Sequence, residues 1–302
     1  MTEATRAFTR RLRVPLLLGV SLFELKFGRP HVDHRGVAYS SDMTDDEWEL
    51  LEPYLRHVGK RGRRHGDDLR MVVDAIFYVS KTGCQWRMLP AEFGPWTRVW
   101  SQFRRWTANG TWSWLLAELH RHRRVEAGRV ENPSMLVVDS HMARGASSGG
   151  VTFHDRGGKF GSVKGAKRVV AVDVTGLPVA ATVVPASTHD NEATAAVLNE
   201  AGWWGTTERL ELVLVDRGVT QRAAQRLGAA VGAEVRRVGW DEPQLDDDGR
   251  RVFRPIRHAW RVEVAHGRIG RARRLAKSFE NTTASASGWL QVACLMLTLR
   301  SQ

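Results

Sequence analysis

Three acidic residues occupy positions from which they could hold metal ions, and two of them directly follow short apolar runs. Asp139 follows the run 135–138, and Asp216 follows the run 212–215. Such β-branched runs are typical of buried strands, whose ends lie at the rim of an open α/β sheet where ligands bind. Glu263 opens a basic stretch with helical spacing. These three residues, here called the acidic triad, offer the oxygen ligands that a pair of Mg²⁺ ions prefers.

The charge of the chain favours a polyanionic partner. The 302 residues include 45 Lys and Arg against 33 Asp and Glu, a formal net charge of +12. Basic groups that neutralise DNA phosphates release condensed counterions, which favours binding. A solvated basic surface is the competing interpretation of the same charge. Together with the acidic triad, the charge makes the chain a candidate for cutting and joining DNA.

The cysteine content and the first residues of the chain indicate where in the cell the protein is expected to be. Cys84 and Cys294 are too few for a disulfide framework and lack the spacing of a zinc site, so we expect a reducing, cytoplasmic environment. The apolar run 14–23 follows arginines, as in a signal peptide, but is too short to span a bilayer. We interpret residues 1–42 as a poorly structured extension, or as sequence upstream of a translation start at Met43.

Residues 43–125 have the periodicity of several short helices. Ser41 or Thr44 is expected to cap a first helix that Pro53 interrupts, and a second helix is expected over 68–80. Short helices with a basic, aromatic member are typical of a helix-turn-helix. We therefore expect a small helical DNA-binding domain in this part of the chain.

The third helix of this region carries aromatic residues at steps of three or four, with arginines between them. This spacing predicts that Trp100, Phe103 and Trp106 belong to the core. Arg104 and Arg105 are candidate contacts to DNA phosphates, and a solvated helix face explains them nearly as well.

From residue 134 the pattern changes to alternating strands and helices. The expected elements are a strand over 134–139, a glycine-rich loop over 140–166, a hairpin around 175–176, a helix over 190–204, a strand over 210–216, a helix over 220–231, a strand over 233–238 and a helix over 260–279. This order predicts an α/β fold. We expect a ribonuclease H-like catalytic domain with a mixed sheet over 134–300.

Basic side chains around the triad are candidate DNA contacts, each with a solvated basic face as the competing interpretation. They are Lys164, Lys167, Arg168, Arg271 and Arg274. The last two fall on the same predicted helical face as Glu263 and could clamp phosphates.

Other polar residues compete with the triad. Asp173 also follows an apolar run, but it precedes a Thr-Gly turn, which favours a structural role. His189 and Asp190 have the form of an acid–base pair, although residues 188–191 also fit a helix cap. His141 could contact a substrate, and a surface histidine is the preferred interpretation.

These motifs resemble those of the DDE transposases of bacterial insertion sequences, in the insertion sequence 5 group of the insertion sequence 4-like superfamily. The resemblance covers residues 43–300. Its motifs are TGCQWRMLP at 82–90, VDSH at 138–141, the hairpin at 164–178, VDRG at 215–218 and the glutamate motif at 260–280. The sequence departs from the family at 219–220 and 264–267, and neither departure removes a metal ligand.

The resemblance implies a transposase that binds terminal inverted repeats in double-stranded DNA and acts as a homodimer or larger assembly. The triad would be both catalytic and metal-ligating, with Asp139 bridging two Mg²⁺ ions and Asp216 and Glu263 completing one site each; Mn²⁺ is an alternative cation. Two other hypotheses stay open. One is a catalytically inactive DNA-binding relic or regulator, and the other is a nuclease that cuts DNA without joining it.

Overall fold

The computed structural model describes residues 39–56, 69–146, 154–158, 161–239, 248 and 258–301. For residues 154–158 and 161–163 it describes the backbone only. The elements of the helical part are α1 (Asp45–Arg56), α2 (Leu69–Thr82), α3 (Trp96–Ala108) and α4 (Thr111–Glu126). The elements that follow are β1 (Met135–Arg144), β2 (His154–Gly158), β3 (Gly161–Asp173), β4 (Pro178–Pro185), α5 (Asp190–Trp203), β5 (Leu212–Asp216), α6 (Gln221–Val231), β6 (Glu234–Val238), α7 (Trp260–Ile269) and α8 (Thr283–Leu299).

The strands form one mixed, six-stranded sheet with β1 near its centre. β1 runs antiparallel to β3 and parallel to β5, which in turn runs parallel to β6. Both β2 and β4 pair with β3 in antiparallel fashion. A mixed sheet of this order, covered by helices and preceded by a helical region, confirms the predicted ribonuclease H-like class.

Alternate residues of β1, β3 and β5 feed two separate cores, one on each face of the sheet. Leu136 and Val138 on β1 belong to a cluster that includes residues of α5 and α6. Val137, between them, belongs to a larger cluster that includes residues of α8 and the N-terminal helices. This alternation follows from the two-residue period of a strand, and it fixes β1 firmly because both of its faces are buried.

The helical region and the sheet share that larger core. Trp289 on α8 is fully buried and stacks on Phe103 of α3, with the ring centroids 4.2 Å apart. Trp86 packs on the same indole at 5.5 Å. Phe103 and Trp106 are buried as predicted, whereas Trp100 is half-buried beneath the guanidinium of Arg104.

Helix ends in this region follow their local sequence signals. Thr44 and Glu47 form a capping box, in which each side chain accepts a hydrogen bond from the backbone N–H of the other residue. Gly83 ends α2 with a φ of 71°. The prediction that Pro53 interrupts the first helix is wrong, because α1 continues to Arg56. The buried side chains of Leu51 and Leu55, on either side of Pro53, keep this last part of α1 packed against the core.

Two predicted boundaries are wrong for reasons that involve glycine. The predicted loop 140–166 contains the second half of β1 and the start of β3. Gly165 occurs there because a Cβ would overlap the carbonyl oxygen of Ala143 on the neighbouring strand, so glycine marks a close strand pair. The predicted helix 260–279 ends at Ile269, because two glycines weaken it and the chain then turns to pair Ser278 with Gly145.

Some predictions fall on parts of the chain that the structure does not describe. Residues 1–38 of the predicted extension lie outside the described residues. Within the remainder, Tyr39 stacks on Phe93 with ring centroids 5.4 Å apart. Residues 147–153 and 159–160 of the predicted glycine-rich loop also lie outside the described residues.

A buried ionic cluster joins the helical region to the hairpin of the sheet. Asp173, at the end of β3, is completely buried and accepts a hydrogen bond from Arg124 of α4. His120 Nε2 lies 3.3 Å from Asp173 Oδ2. Burial alone would raise the pKa of Asp173, but His120, Thr175 and Arg124 outweigh it and hold this pKa well below its usual range. The structural role predicted for Asp173 is therefore confirmed.

We predict that Asp173→Asn lowers the free energy of unfolding by about 3–5 kcal/mol, because it leaves a buried guanidinium without its counter-charge. The depressed pKa of Asp173 contributes stability at neutral pH, and this contribution is lost as the pH falls below about 4. Urea unfolding at pH 7 and at lower pH measures both effects. Glu234→Gln, which removes half of an exposed ion pair with Arg236, is the control and should lower the free energy of unfolding far less, because exposed ion pairs contribute little. Equal losses in the two variants would contradict the assignment.

Candidate active site

The first two acids of the triad are neighbours because of strand register. β1 and β5 are parallel, and Val138 pairs with Val215. Asp139 and Asp216 each follow directly, so they stand side by side, about 5 Å apart along the sheet. Asp216 ends β5, whereas Asp139 lies in the middle of β1, which continues to Arg144. Asp139 is half-buried and Asp216 is exposed. The register thus puts the two carboxylates beside each other, although the prediction that the first strand ends at Asp139 is wrong.

The third acid comes from α7, which packs against β1 and β3. His266 lies one turn after Glu263 on the same helix face, and its Nε2 is 3.6 Å from Asp139 Oδ2. The Glu263 side chain is exposed and lies close enough for its charge to raise the pKa of Asp139. The three carboxylates therefore meet in one electrostatic cluster.

Electrostatics at this cluster favour a cation. Burial raises the pKa of Asp139 from 3.8 to about 6; a backbone hydrogen bond from Ser140 opposes the shift, and the carboxylates of Asp216, Glu263 and Asp190 add to it. A carboxylate held near other carboxylates in a partly dry site gains more from a bound cation than an isolated one does.

The donor chemistry fits a hard divalent cation, since all three triad side chains offer carboxylate oxygens. Within the described ranges, no three His, Cys, Asp or Glu side chains stand close enough to hold one ion together. The triad side chains therefore do not form a ligand set for one ion in this structure, although the charges of Asp216 and Glu263 both raise the pKa of Asp139. Because Asp216 and Glu263 are exposed, rotation of their side chains could tighten the group.

Two residues of this rim escaped the sequence interpretation. His266 occupies a departure from the family motif, and its Nε2 is buried without a hydrogen-bond partner among the described residues. Burial, followed by the charge of nearby His141, lowers the pKa of His266 to about 4, so the ring is neutral at neutral pH. His141 itself is exposed, as predicted. The signal for His266 was its position three residues after Glu263.

Asp190 is the second such residue, since the sequence analysis considered it only as half of an acid–base pair with His189 or as part of a helix cap. The cap prediction is confirmed, since His189 Nδ1 accepts the backbone N–H of Asn191 at 3.2 Å. Asp190 reaches in addition to Lys167 Nζ at 2.9 Å and to Ser140 Oγ at 3.3 Å. Its carboxylate thus lies beside the residue that follows Asp139.

The predicted DNA-contacting residues divide into two groups. Exposed or half-buried at the surface are Arg104, Arg105, Lys164 and Arg271. Engaged inside the protein are Lys167, Arg168 and Arg274. Because successive residues of a strand face opposite sides, Lys167 points toward α5 while Arg168 points toward the segment after α7. The two cannot follow one DNA backbone together.

Arg168 and Arg274 fasten that segment to the rest of the protein. Arg168 is buried and donates a hydrogen bond to the carbonyl oxygen of Leu275; burial lowers its pKa to about 10. Arg274 pairs with Glu280, and its guanidinium lies 5.3 Å from the ring of Trp289. Arg274 is therefore not on a common helical face with Glu263, because α7 has already ended.

The helical region touches the same segment at Gly83. A Cβ at this position would lie 3.1 Å from the backbone of Arg273, so the TGCQWRMLP motif packs directly on the glutamate motif. No helix within the described residues is long and apolar enough to cross a membrane.

Comparison with protein families gives two matches. A family model described as "Transposase DDE domain" matches residues 131–299. A second, described as "Putative transposase of IS4/5 family", matches residues 43–116. The first match spans the whole sheet and α7, including all three triad residues.

Two curated proteins are similar to part of the chain. The "Insertion element IS402 uncharacterized 16.2 kDa protein" of Burkholderia cepacia is 34% identical over 118 residues, which is 35% of this chain and 76% of that protein. The "Uncharacterized protein y4sN" of Sinorhizobium fredii is 28% identical over 120 residues, 39% of this chain and 88% of that protein. No solved structure matches the chain significantly.

We predict that Asp139→Asn stabilises the metal-free protein at pH 8. The raised pKa of Asp139 means that its ionised form opposes folding, so stability falls as the pH rises from about 4 to about 6. After allowance for solvent screening, the amide should raise the free energy of unfolding by on the order of 1 kcal/mol.

Thermal unfolding of both proteins with and without Mg²⁺ measures this effect. Mg²⁺ should raise the melting temperature of the wild type more than that of the variant. Glu192→Gln, an exposed acid on α5, is the control and should change neither quantity. A lower melting temperature for Asp139→Asn in the absence of metal would contradict the prediction.

Proposed function

Because the chain belongs to the family of DDE transposases, whose domain model spans more than half of it, we propose that it binds the terminal inverted repeats of an insertion sequence and catalyses Mg²⁺-dependent DNA cleavage and strand transfer. Transposases act on DNA, and this family generally uses divalent metal ions. The observation that carries the finer proposal is the side-by-side placement of Asp139 and Asp216, with Glu263 on α7 near enough for its charge to raise the pKa of Asp139.

Transfer of a phosphodiester spreads negative charge over the oxygens of phosphorus, so catalysis rests on positioning and on cationic stabilisation. Two bound Mg²⁺ ions, or Mn²⁺ in their place, would supply an activated water and stabilise the leaving 3′ oxygen. Asp139 would be the ligand shared by both ions. Asp216 and Glu263 would each complete one of the two sites.

The protein's own contribution is a rigid rim with excess negative charge. β1 is buried on both faces, so Asp139 cannot retreat from the carboxylates that raise its pKa. Neutral His266 lies against Asp139 and excludes water from one side without adding positive charge. The repulsion is relieved when cations bind, which couples loading of the site to the geometry of the sheet.

DNA would be held by the helical region and by the surface around the rim. Arg104 and Arg105 on α3, Lys164 on β3 and Arg271 after α7 are placed to meet phosphates. Lys167, Arg168 and Arg274 would act indirectly, by fixing α5 and the segment after α7. Pairing two transposon ends requires two sets of these contacts, so a homodimer or larger assembly is part of the proposal, as is a cytoplasmic location.

We predict that the purified protein cleaves and joins duplexes taken from the DNA that flanks its coding region, provided that Mg²⁺ or Mn²⁺ is present. Asp139→Asn, Asp216→Asn and Glu263→Gln should each lower the cleavage rate by about 100-fold or more, because each removes charge needed in the transition state. Gel-shift affinity for the same DNA should be retained in all three. Denaturing gels resolve cleavage and strand transfer separately.

Glu192→Gln serves as the control, since it removes an exposed acid near the site but outside the triad. Tight DNA binding without cleavage by the wild type would favour the regulator over the enzyme. Cleavage without joined products would favour a nuclease. Full activity in any one of the three triad variants would contradict the roles assigned to these residues.

A further inference from the structure

Asp190 connects the chain segments that carry the first two acids of the triad. It is the first residue of α5, and its Oδ1 accepts hydrogen bonds from Lys167 Nζ at 2.9 Å and from Ser140 Oγ at 3.3 Å. Lys167 lies on β3, and Ser140 follows Asp139 on β1. One carboxylate oxygen therefore ties two neighbouring strands of the sheet to the start of α5.

The other oxygen of Asp190 faces the turn that follows Asp216. The three atoms nearest to a Cβ built at Gly218 all belong to Asp190, and its Oδ2 would overlap that Cβ. The side chain thus packs directly on the glycine backbone. Asn191 fastens the same turn, because its Oδ1 accepts the backbone N–H of Thr220 at 2.9 Å.

The charge of Asp190 is compensated locally. Lys167 is largely buried, its side chain being 14% exposed, and its ammonium also donates to the carbonyl oxygen of Thr188 at 2.6 Å. Two hydrogen bonds thus hold the Lys167 ammonium at the start of α5, one to Asp190 and one to Thr188, just before the helix. A fourth carboxylate can stand beside the triad because this cation is held next to it.

We propose that Asp190 is a positioning residue, a latch that holds the turn after β5 against the middle of β1, at Ser140, so that Asp139 and Asp216 face one cation site. The inference rests on the proposed function for its catalytic consequence, although the latch itself is a feature of the fold. Oδ1 already accepts two hydrogen bonds and Oδ2 is covered by Gly218, so the contacts of Asp190 are those of a support and not of a metal ligand.

Gly218 offers a test of the latch from its other side. Its φ is not among the positive ones, so the backbone there does not require glycine. The obstacle to a side chain is the Asp190 carboxylate itself. Gly218→Ala should therefore displace Asp190 in the wild type and should have no further effect once Asp190 has been truncated.

Single-turnover cleavage of the flanking-DNA duplexes compares Asp190→Ala, Asp190→Asn and the exposed control Glu192→Ala. Asp190→Ala should lower the rate by about 10- to 100-fold, the usual effect of removing a group that supports a metal ligand, with unchanged affinity for DNA. Asp190→Asn keeps an acceptor for Lys167 and Ser140, so it should lose much less than the alanine variant. Glu192→Ala should match the wild type.

A double-mutant cycle of Asp190→Ala and Gly218→Ala provides a second test of the latch. Gly218→Ala should slow the wild type and leave the rate of Asp190→Ala unchanged. Additive losses would overturn the latch, as would wild-type rates in Asp190→Ala. Equal losses in Asp190→Asn and Asp190→Ala, together with a higher Mg²⁺ requirement in both, would overturn positioning in favour of direct metal binding.

Hydrogen–deuterium exchange separates failure of the latch from failure of the proposed function. Backbone amides at 217–221 should exchange faster in Asp190→Ala than in the wild type or in Glu192→Ala, whether or not the protein cleaves DNA. If the wild type does not cleave but exchange rises as expected, the proposed function fails and the latch stands. Unchanged exchange at these amides overturns the latch.

Discussion

The parallel register between β1 and β5 is the constraint on which the rest of the site depends. Val138 opposite Val215 sets Asp139 beside Asp216, and a slip by one residue would turn every side chain of a strand to the other face. Such a slip is strongly opposed, because Leu136 and Val138 fill one core while Val137 fills the other. The fold therefore converts two apolar runs, far apart in sequence, into a fixed pair of carboxylates.

Around this pair the protein accumulates negative charge and then supports it from several directions. α7 brings Glu263 and places neutral His266 against Asp139. α5 contributes Asp190, which forms an ion pair with Lys167 of β3. The N-terminal helices reach the same neighbourhood through Gly83, which packs on the backbone of the segment after α7. A region expected to bind DNA is thus in direct contact with the segment that follows Glu263 and α7.

Much of the fold could be predicted from local patterns. The runs that lead to Asp139 and Asp216 are short and β-branched, so both strands were identifiable, and capping signals placed the start of α1. The end of β5 at Asp216 was predicted correctly, whereas β1 continues beyond Asp139 to Arg144. The predicted loop 140–166 failed because glycine marks both loops and closely paired strands, and Gly165 belongs to the second case. The predicted helix 260–279 failed because the bridge from Ser278 to Gly145 leaves no trace in local periodicity.

The candidate site likewise depends on contacts that local sequence patterns do not reveal. Three acids were found because each stands in a motif, whereas the role of Asp190 depends on Lys167 and Ser140, which are 23 and 50 residues away in sequence. Likewise, only the strand geometry reveals that adjacent Lys167 and Arg168 serve opposite faces of the sheet. Long-range partners of this kind are set by tertiary packing, and a residue's own neighbours in sequence carry little information about them.

The central claim is that Asp139, Asp216 and Glu263 converge on divalent cations. Anomalous diffraction from crystals of the protein grown with Mn²⁺ and flanking-DNA duplex tests it most directly. We expect Mn²⁺ peaks bonded to Asp139, in the middle of β1, and to Asp216, at the end of β5, with Glu263 on one of the ions. Ordered Mn²⁺ bound elsewhere, with Glu263 turned away from the two aspartates, would contradict it.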